Sequence, residues 1–487
     1  MSRADASTLQ TTLPAPAPAA HTASSYRPSL ISSPSANTTM SFDGASQGSQ
    51  RPLDPLEIDD SPIDVGEAGA RELAPADRGR GAWEFVVAAW LLETFLFGYS
   101  YAFATLLVYF QSHEPWSQES VGALSAIGTT QLALMFMLPT VIVTCYRRYP
   151  EWVKPATWTG VVLASASMLI ASWANKAWQL ILLQGVLQGT GNALLFSPVW
   201  IYLSEWWVVR RGLAFGIVLS GIGFGGFAFP FILNALLEKV GFAWMCRVMA
   251  LILAAVLSIA NFLMKPRIPR PKPALGQRGP WIAIDLKFLY DPIFLWMSLA
   301  TILASLSYLP VVLFLPVYAS SFTTSTTQQN LVLAIFNLLA AVGTALWGRV
   351  TDVSYSLTVV GCGFLGALVS LTAWGLADTL AKVYGFGVLF ALTAQMVPAW
   401  GGAARDVAKQ NPNVSTMAFC LFSVVRGIGS IIMPIVSEAL YNPDELYDGD
   451  GWGARGFHKM IIFVGVTAAL SGLAGLGLGW TRARKQA

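Results

Sequence analysis

The chain has 487 residues, of which 54% are hydrophobic and only 12% are charged. Soluble domains carry roughly 25% charged residues, so this composition excludes an ordinary water-soluble protein and predicts a polytopic membrane protein. The formal net charge of +3 is small, and the placement of the basic residues is more informative than their sum.

The cysteines and histidines give no sign of metal or redox chemistry. All four cysteines lie in apolar stretches, as is typical of small buried side chains, and none of the three histidines lies in an apolar run. The chain also contains no Walker-type phosphate loop and no nucleophile elbow. We therefore expect neither a cofactor nor a metal, and we expect that the protein is neither an enzyme nor an ATP-driven pump.

Residues 1–80 differ in composition from the rest of the chain. They are rich in Ser, Pro, Ala and Thr, and they contain no Lys, six Arg and ten Asp or Glu. Such a segment buries too little apolar surface to offset its ordering entropy, so a disordered cytosolic tail is predicted. It also lacks the early apolar core and cleavage site of a signal peptide.

From Trp83 onward, apolar runs of about 20 residues follow one another, and each is long enough to cross ~30 Å of hydrocarbon as a helix. Twelve helices are predicted: 84–110, 119–146, 155–173, 177–202, 210–236, 242–264, 292–319, 328–350, 356–377, 382–402, 413–439 and 457–481. The fold class is therefore an all-α polytopic membrane protein with two six-helix bundles, at 81–264 and 292–481. A basic cytosolic linker at 265–291 joins the bundles, and a short cytosolic tail follows at 482–487.

The charges in the loops support this count of helices. Loops on one predicted side hold seventeen basic residues, whereas loops on the other side hold five, namely Lys176, Lys239, Lys382, Arg455 and Lys459. Basic residues concentrate on the cytosolic side of membrane proteins, so both termini are predicted to be cytosolic. A missed or added helix would have mixed the two groups.

The stretch 202–230 has the most distinctive sequence. The pair Arg210-Arg211 precedes about twenty uncharged residues in which glycines recur mostly at small-xxx-small spacing, which allows helix backbones to approach closely in lipid. We expect Trp206 and Trp207, and likewise Trp452, to anchor the chain at the membrane surface.

Twelve helices, a central linker and cytosolic termini resemble the major facilitator superfamily. The start of the fifth helix is similar to the monocarboxylate-transporter-like branch of that superfamily, in its fungal form. The matching residues are Arg210, Arg211, Ala214, Gly216, Ser220, Gly221 and Gly225 in helix 5, and Gly81, Trp83, Phe85, Val86 and Val87 at helix 1. In helix 8, Asn337, Gly343, Gly348 and Asp352 fit the branch's pattern, but Thr344 stands where the branch carries an arginine.

Three charged residues lie at membrane depth, where charges are costly and mark pathways or ion pairs. They are Glu93 in helix 1, Arg247 near the start of helix 6, and Arg426 in helix 11. Glu93 either carries a proton or contacts cargo, or else it is a fixed partner for an arginine. Arg426 either grips an anionic cargo or forms an interhelical ion pair, which could include Glu93. Arg247 is expected to have a structural role.

Uncharged polar residues form stripes on several helices. The resemblance implies that helices 1, 4, 7 and 10 line the central cavity, so these stripes are candidates for cargo contact; hydrogen bonding between helices is the alternative. The candidates are Gln184, Gln188 and Asn192 in helix 4, Ser305 and Tyr308 in helix 7, Asn337 in helix 8, and Gln395 in helix 10. Ser100 and Tyr101 are expected to share the face of Glu93.

Four charged residues at predicted cytosolic helix ends are candidates for a gate, namely Arg210, Arg211, Arg349 and Asp352. The alternative is that they only set the topology. The predicted function is alternating-access transport of a small organic anion, with proton coupling through Glu93 as a hypothesis. Export of a larger secondary metabolite and a nutrient receptor that does not transport are the alternatives. We expect a monomer in the plasma membrane, in contact with small molecules and lipid and not with nucleic acid.

Overall fold

The structure, a computed structural model, describes residues 74–269, 286–409, 411–442, 451–453 and 456–486. The predicted N-terminal tail, apart from residues 74–80, lies outside the described residues. The same holds for 270–285, the larger part of the predicted linker.

Eleven helices in the described part of the chain are long and apolar enough to cross a membrane. The longest is broken at Gly241, whose φ of 75° and ψ of 173° are not helical, so it forms two helices and brings the count to twelve. In chain order these are α1 (Arg80–Ser112), α2 (Val121–Arg148), α3 (Val153–Ala171), α4 (Ala177–Trp206), α5 and α6 (Arg211–Leu263, before and after the break), α7 (Pro292–Ser320), α8 (Thr326–Val353), α9 (Tyr355–Trp374), α10 (Leu380–Ala408), α11 (Pro412–Leu440) and α12 (His458–Gln486). The predicted fold class is confirmed.

The predicted and observed helix ends differ mainly where helices continue beyond their apolar run. The helix α12, predicted to end at 481, continues to Gln486, and α10, predicted to end at 402, continues to Ala408. Hydropathy locates the part of a helix that lies in hydrocarbon, whereas backbone hydrogen bonding continues into the polar layer. The helix α10 is also interrupted at residues 394–396, before Pro398, a break that its apolar sequence does not indicate.

The glycines of α5 bring its backbone against two neighbouring helices. On one face, a Cβ atom at Gly221 would lie 2.6 Å from the carbonyl oxygen of Trp90 in α1. On the other face, Cβ atoms at Gly212 and Gly216 would lie 2.6 Å from the carbonyl oxygens of Gly348 and Thr344 in α8. The predicted close approach is therefore confirmed, and it joins α5 to its own bundle and to the second bundle.

We call the end of the molecule where α1 begins, α4 ends and α5 begins the basic end. Here Asp77 accepts hydrogen bonds from the backbone N–H groups of residues 208–210 at 2.8–3.2 Å, and the indole of Trp206 donates to the carbonyl oxygen of Lys265. Trp206 and Trp207 are only 6% and 2% exposed. The prediction that they anchor in the membrane surface is wrong, because they pack against Gly81 and Trp83 at the start of α1.

Replacing Gly98 with alanine tests the contact between α1 and α5. The added Cβ would lie 2.6 Å from the Cα of Gly225, so one backbone must move. Overpacking of this kind costs about 1–3 kcal/mol. We expect Gly98→Ala to lower the thermal unfolding temperature of the purified protein. The control is Gly385→Ala on α10, where an added Cβ would have no atom within 4 Å. Equal stability of the two variants would contradict the packing argument.

Candidate functional site

A cavity lies between the two bundles, and helices of both bundles form its walls. Its volume, which includes the open solvent at its mouth, is about 690 Å³. Five predicted site residues line it: Glu93, Tyr308, Asn337, Gln395 and Arg426. The other lining residues are Phe97, Tyr101, Phe136, Phe196, Trp200, Leu219, Ile222, Gly223, Ala340, Thr344, Val397, Trp400 and Ser423.

Glu93 is the acidic group of this cavity. The residue is 0% exposed, and neither of its carboxyl oxygens has a hydrogen-bond partner in the structure. Its backbone lies at the crossing of α1 and α5, where a Cβ at Gly221 would be 3.0 Å from the Cβ of Glu93. Burial of a carboxylate without partners is costly, so this group must gain a proton or a ligand whenever the cavity excludes water.

A π-helical turn in α1 explains why only one of the two residues expected beside Glu93 faces the cavity. The turn spans Thr94–Gly98, and such a turn adds one residue to the helix. Tyr101 therefore takes the position that an uninterrupted helix would give to Ser100. Tyr101 lines the cavity, whereas the hydroxyl of Ser100 points into the first bundle, 3.5 Å from the sulfur of Met135.

Arg426 is the basic group of the cavity, and α11 places it on the side of the second bundle. Its guanidinium lies 5.7 Å from the ring centre of Tyr308, a distance that allows a cation–π contact. No described carboxylate lies within ion-pairing distance of it, so the alternative of an ion pair with Glu93 is not formed in this conformation. The guanidinium donors of Arg426 are available to a cargo.

The remaining polar groups of the cavity belong to α8 and α10. The hydroxyl of Thr344 donates to Ala340 in its own helix at 2.7 Å and lies 3.2 Å from Oε1 of Gln395. Asn337 donates through Nδ2 to the carbonyl oxygen of Gly226 in α5 at 3.2 Å, and so it also links the two bundles. Thr344 therefore faces the cavity with a neutral hydroxyl.

Four predicted site residues lie outside this cavity. Gln184 and Asn192 donate to the sulfur atoms of Met168 and Met135 inside the first bundle, and Gln188 is buried there too. Ser305 bonds to the carbonyl oxygen one turn earlier in α7 and packs against Gly429. Helical periodicity located these residues on buried faces, but it could not distinguish a face inside a bundle from one between bundles.

Seven aromatic side chains line the cavity: Phe97, Tyr101, Phe136, Phe196, Trp200, Tyr308 and Trp400. The sequence identified Tyr308 as a site candidate and placed Tyr101 on the face of Glu93, but it did not identify the other five. The spacing of Phe97 from Glu93 could have indicated that residue, but aromatic residues are common throughout membrane helices. Toward the basic end, Trp200 and Trp400 contact Phe419 of α11, which also contacts Phe215 of α5. We call these four residues the aromatic plug.

Polar contacts between the bundles lie beyond the plug, at the basic end. The carboxylate of Asp352 in α8 accepts hydrogen bonds from the backbone N–H groups of Gly212 and Leu213, at 2.6 and 3.0 Å, and so caps the start of α5. Arg211 is buried beside Ser415 of α11. Arg210 and Arg349 are exposed. These contacts between the bundles close the basic end. Of the four candidate gate residues, Arg211 and Asp352 take part in the contacts.

Arg247 lies outside both the cavity and the gate. Its guanidinium lies 5.1 and 5.0 Å from the ring centres of Trp173 and Trp244, and it donates to Ser172 at 3.4 Å. These contacts join the end of α3 to α6. They agree with a structural role, which was the expectation for this residue.

A twelve-helix membrane protein with a cavity between two bundles, closed at one end by contacts between those bundles, has the architecture of a membrane transporter. The chain belongs to the Major Facilitator Superfamily, whose family model matches residues 89–434. It is therefore a transporter and not an enzyme.

Among curated proteins, the chain is 24% identical to a protein named the fujikurins efflux protein of Gibberella fujikuroi, over 84% of this chain and 85% of the relative. It is 28% identical to the MFS-type transporter pynF of Aspergillus niger, over 65% of this chain and 73% of the relative. It is also 30% identical to the MFS-type transporter pytF of Aspergillus terreus, over 58% of this chain and 93% of the relative.

Replacing Asp352 with alanine tests the closure of the basic end. The variant loses two charge-assisted hydrogen bonds to the start of α5, and loss of a helix cap costs about 0.5–2 kcal/mol. We expect faster hydrogen–deuterium exchange at the amides of Gly212 and Leu213, by about tenfold. The control is Asp378→Ala, which removes a carboxylate whose partner is Lys382. Unchanged exchange at both amides in Asp352→Ala would show that the carboxylate does not hold the gate.

Proposed function

We propose that the protein exports an amphipathic organic acid, larger than a short-chain carboxylate, by alternating access between its two bundles. The cavity carries this proposal, because seven aromatic rings line it together with one guanidinium and one carboxyl group. Aromatic walls bind the apolar body of a ligand, while a few polar groups fix its orientation.

The chemistry of the cavity favours this cargo over the small organic anion expected from the sequence. A short-chain carboxylate could pair with Arg426, but it would leave most of the aromatic surface in contact with water. Thr344 supplies no second positive charge. One relative is named as an efflux protein, and this supports export rather than uptake. The sequence at the start of α5 supports placement of the chain in the monocarboxylate-transporter-like branch. We propose this placement as an evolutionary relationship and draw no conclusion about cargo from it.

Arg426 and Glu93 have separate roles in the proposed cycle. Arg426 pairs with the acidic group of the cargo, since guanidinium can bind a carboxylate through two hydrogen bonds. Glu93 exchanges protons: it takes up a proton on the side where cargo leaves, and it releases that proton on the side where cargo binds. Protonation allows the empty cavity to close, because it removes the cost of burying an unpaired carboxylate.

The excess of basic residues at one end supports an orientation in the membrane. We place the basic end, with the gate, on the cytosolic side, and we place the protein in the plasma membrane as a monomer. In this orientation the described conformation is closed to the cytosol, as is required of an exporter at the moment of cargo release.

Glu93→Gln tests the proton coupling. Transport would be measured in proteoliposomes with indole-3-acetate as an aromatic acid and lactate as a short-chain comparator. For one coupled proton, a gradient of one pH unit can sustain about a tenfold concentration ratio of cargo. We expect this pH-driven accumulation with the native protein and indole-3-acetate, and its loss in Glu93→Gln. The control is Glu84→Gln on the same helix, where the carboxylate pairs with Arg80 outside the cavity. If Glu93→Gln accumulates indole-3-acetate under a pH gradient as the native protein does, Glu93 does not carry the coupled proton.

Arg426→Gln tests recognition of the acidic group. A hydrogen bond to a charged group contributes about 1.5–3 kcal/mol, so the KM for indole-3-acetate should rise by roughly 10- to 100-fold. The protein should still fold, because the guanidinium forms no described ion pair. The control is Arg247→Gln, outside the cavity, for which the KM should not change. If residual transport by Arg426→Gln keeps the native KM, the residue is structural.

A further inference from the structure

A second, smaller pocket lies at the basic end, between the bundles. Its volume, which includes the open solvent at its mouth, is about 260 Å³, and it shares no lining residue with the larger cavity. Its walls are Val209, Arg211 and Gly212 from the first bundle, and Thr351, Asp352, Gly401, Gly402 and Arg405 from the second. Because both bundles contribute, this pocket exists only while the basic end is closed.

Arg211 brings a buried guanidinium to this pocket. The residue is 8% exposed, its Nε has no hydrogen-bond partner, and its Nη1 lies 3.5 Å from the hydroxyl of Ser415. The side chain lies along Gly401 of α10, where an added Cβ would be 3.6 Å from Nε. A guanidinium carries five donors, and among the described residues only Ser415 is within hydrogen-bond distance of the guanidinium of Arg211. A buried cation in this state favours a partner of opposite charge.

Asp352 supplies the carboxylate of the same pocket, but this carboxylate is not the ionic partner of Arg211. The two oxygens of Asp352 accept the N–H groups of Gly212 and Leu213, at the start of α5. Arg405 adds a second guanidinium from α10, with a side chain that is 54% exposed. Its nearest described carboxylate is Asp406, at 4.0 Å, which already accepts a hydrogen bond from Tyr355 and lies 3.5 Å from Arg482. The pocket therefore has more positive than negative charge.

We propose that this pocket binds a phosphate group, which bridges Arg211 of the first bundle to Arg405 of the second. The tetrahedral oxyanion supplies acceptors to both guanidiniums, a pairing that arginine forms with good geometry. The phosphate could be free inorganic phosphate or part of a lipid headgroup, and its binding chemistry is the same in both cases. A ligand that binds only the closed conformation stabilises it, so the phosphate would slow opening of the basic end.

Thermal unfolding of the full chain in dodecyl maltoside micelles, which contain no phosphate, tests this site without any cargo. Inorganic phosphate would be titrated at constant ionic strength, with chloride as the replaced anion. We expect a saturable rise of about 2–5 °C in the unfolding temperature of the native protein. Arg405→Gln should weaken the apparent phosphate affinity about tenfold or more. Arg405 is the first choice of variant, because its exposed side chain makes a loss of folding less of a concern than at buried Arg211.

Arg80→Gln is the matched control, since Arg80 is exposed at the basic end and pairs with Glu84 outside the pocket. A second arm adds phosphatidylinositol to these micelles in phosphate-free buffer. Stabilisation by free phosphate that is lost in Arg405→Gln, but kept in Arg80→Gln, supports a soluble ligand. The same pattern with phosphatidylinositol alone supports a lipid headgroup. The proposal is overturned if neither stabilises the native protein, or if all three proteins respond equally.

Discussion

Contact between helix backbones at α5 is the constraint on which the rest of the structure depends. Glycines on one face of α5 bring it against α1, and glycines on the other face bring it against α8. In lipid, such close approach replaces the hydrophobic driving force that holds soluble helices together. Because one helix serves both contacts, the position of Glu93 within the first bundle and the closure between bundles depend on the same backbone.

The electrostatics of the cavity follow from this arrangement. The acidic and basic groups come from different bundles, and neither has an ionic partner among the described residues. Unpaired charges at membrane depth are costly, and they are found where a ligand pairs with them or a proton neutralises them. In the proposed cycle, the acidic group of the cargo pairs with Arg426, and a proton neutralises Glu93. At the closed basic end, the aromatic plug and then the polar gate separate Glu93 and Arg426 from that side of the membrane.

The proposed cargo depends in part on aromatic side chains that the sequence alone did not single out, namely Phe97, Phe136, Phe196, Trp200 and Trp400. The predicted class of protein, a transporter of the major facilitator superfamily, agrees with the family match. Within that class, a lone arginine is compatible with many acids. The aromatic walls around it narrow the choice to cargo with a substantial apolar body. This is also why the alternative of a larger exported metabolite is now preferred over a small organic anion.

The sequence by itself determined the fold class, the number of helices and five residues of the cavity wall, because hydropathy and rare membrane charges are local properties of the chain. Tertiary structure decided what those properties could not. It turned Tyr101 rather than Ser100 toward the cavity, through an added residue in α1. It also buried Trp206 under the start of α1, and it gathered aromatic residues distant in sequence around Arg426. The sequence shows that a helix face is buried, but only the packing of helices shows whether that face meets a neighbour in its bundle or the cavity between bundles.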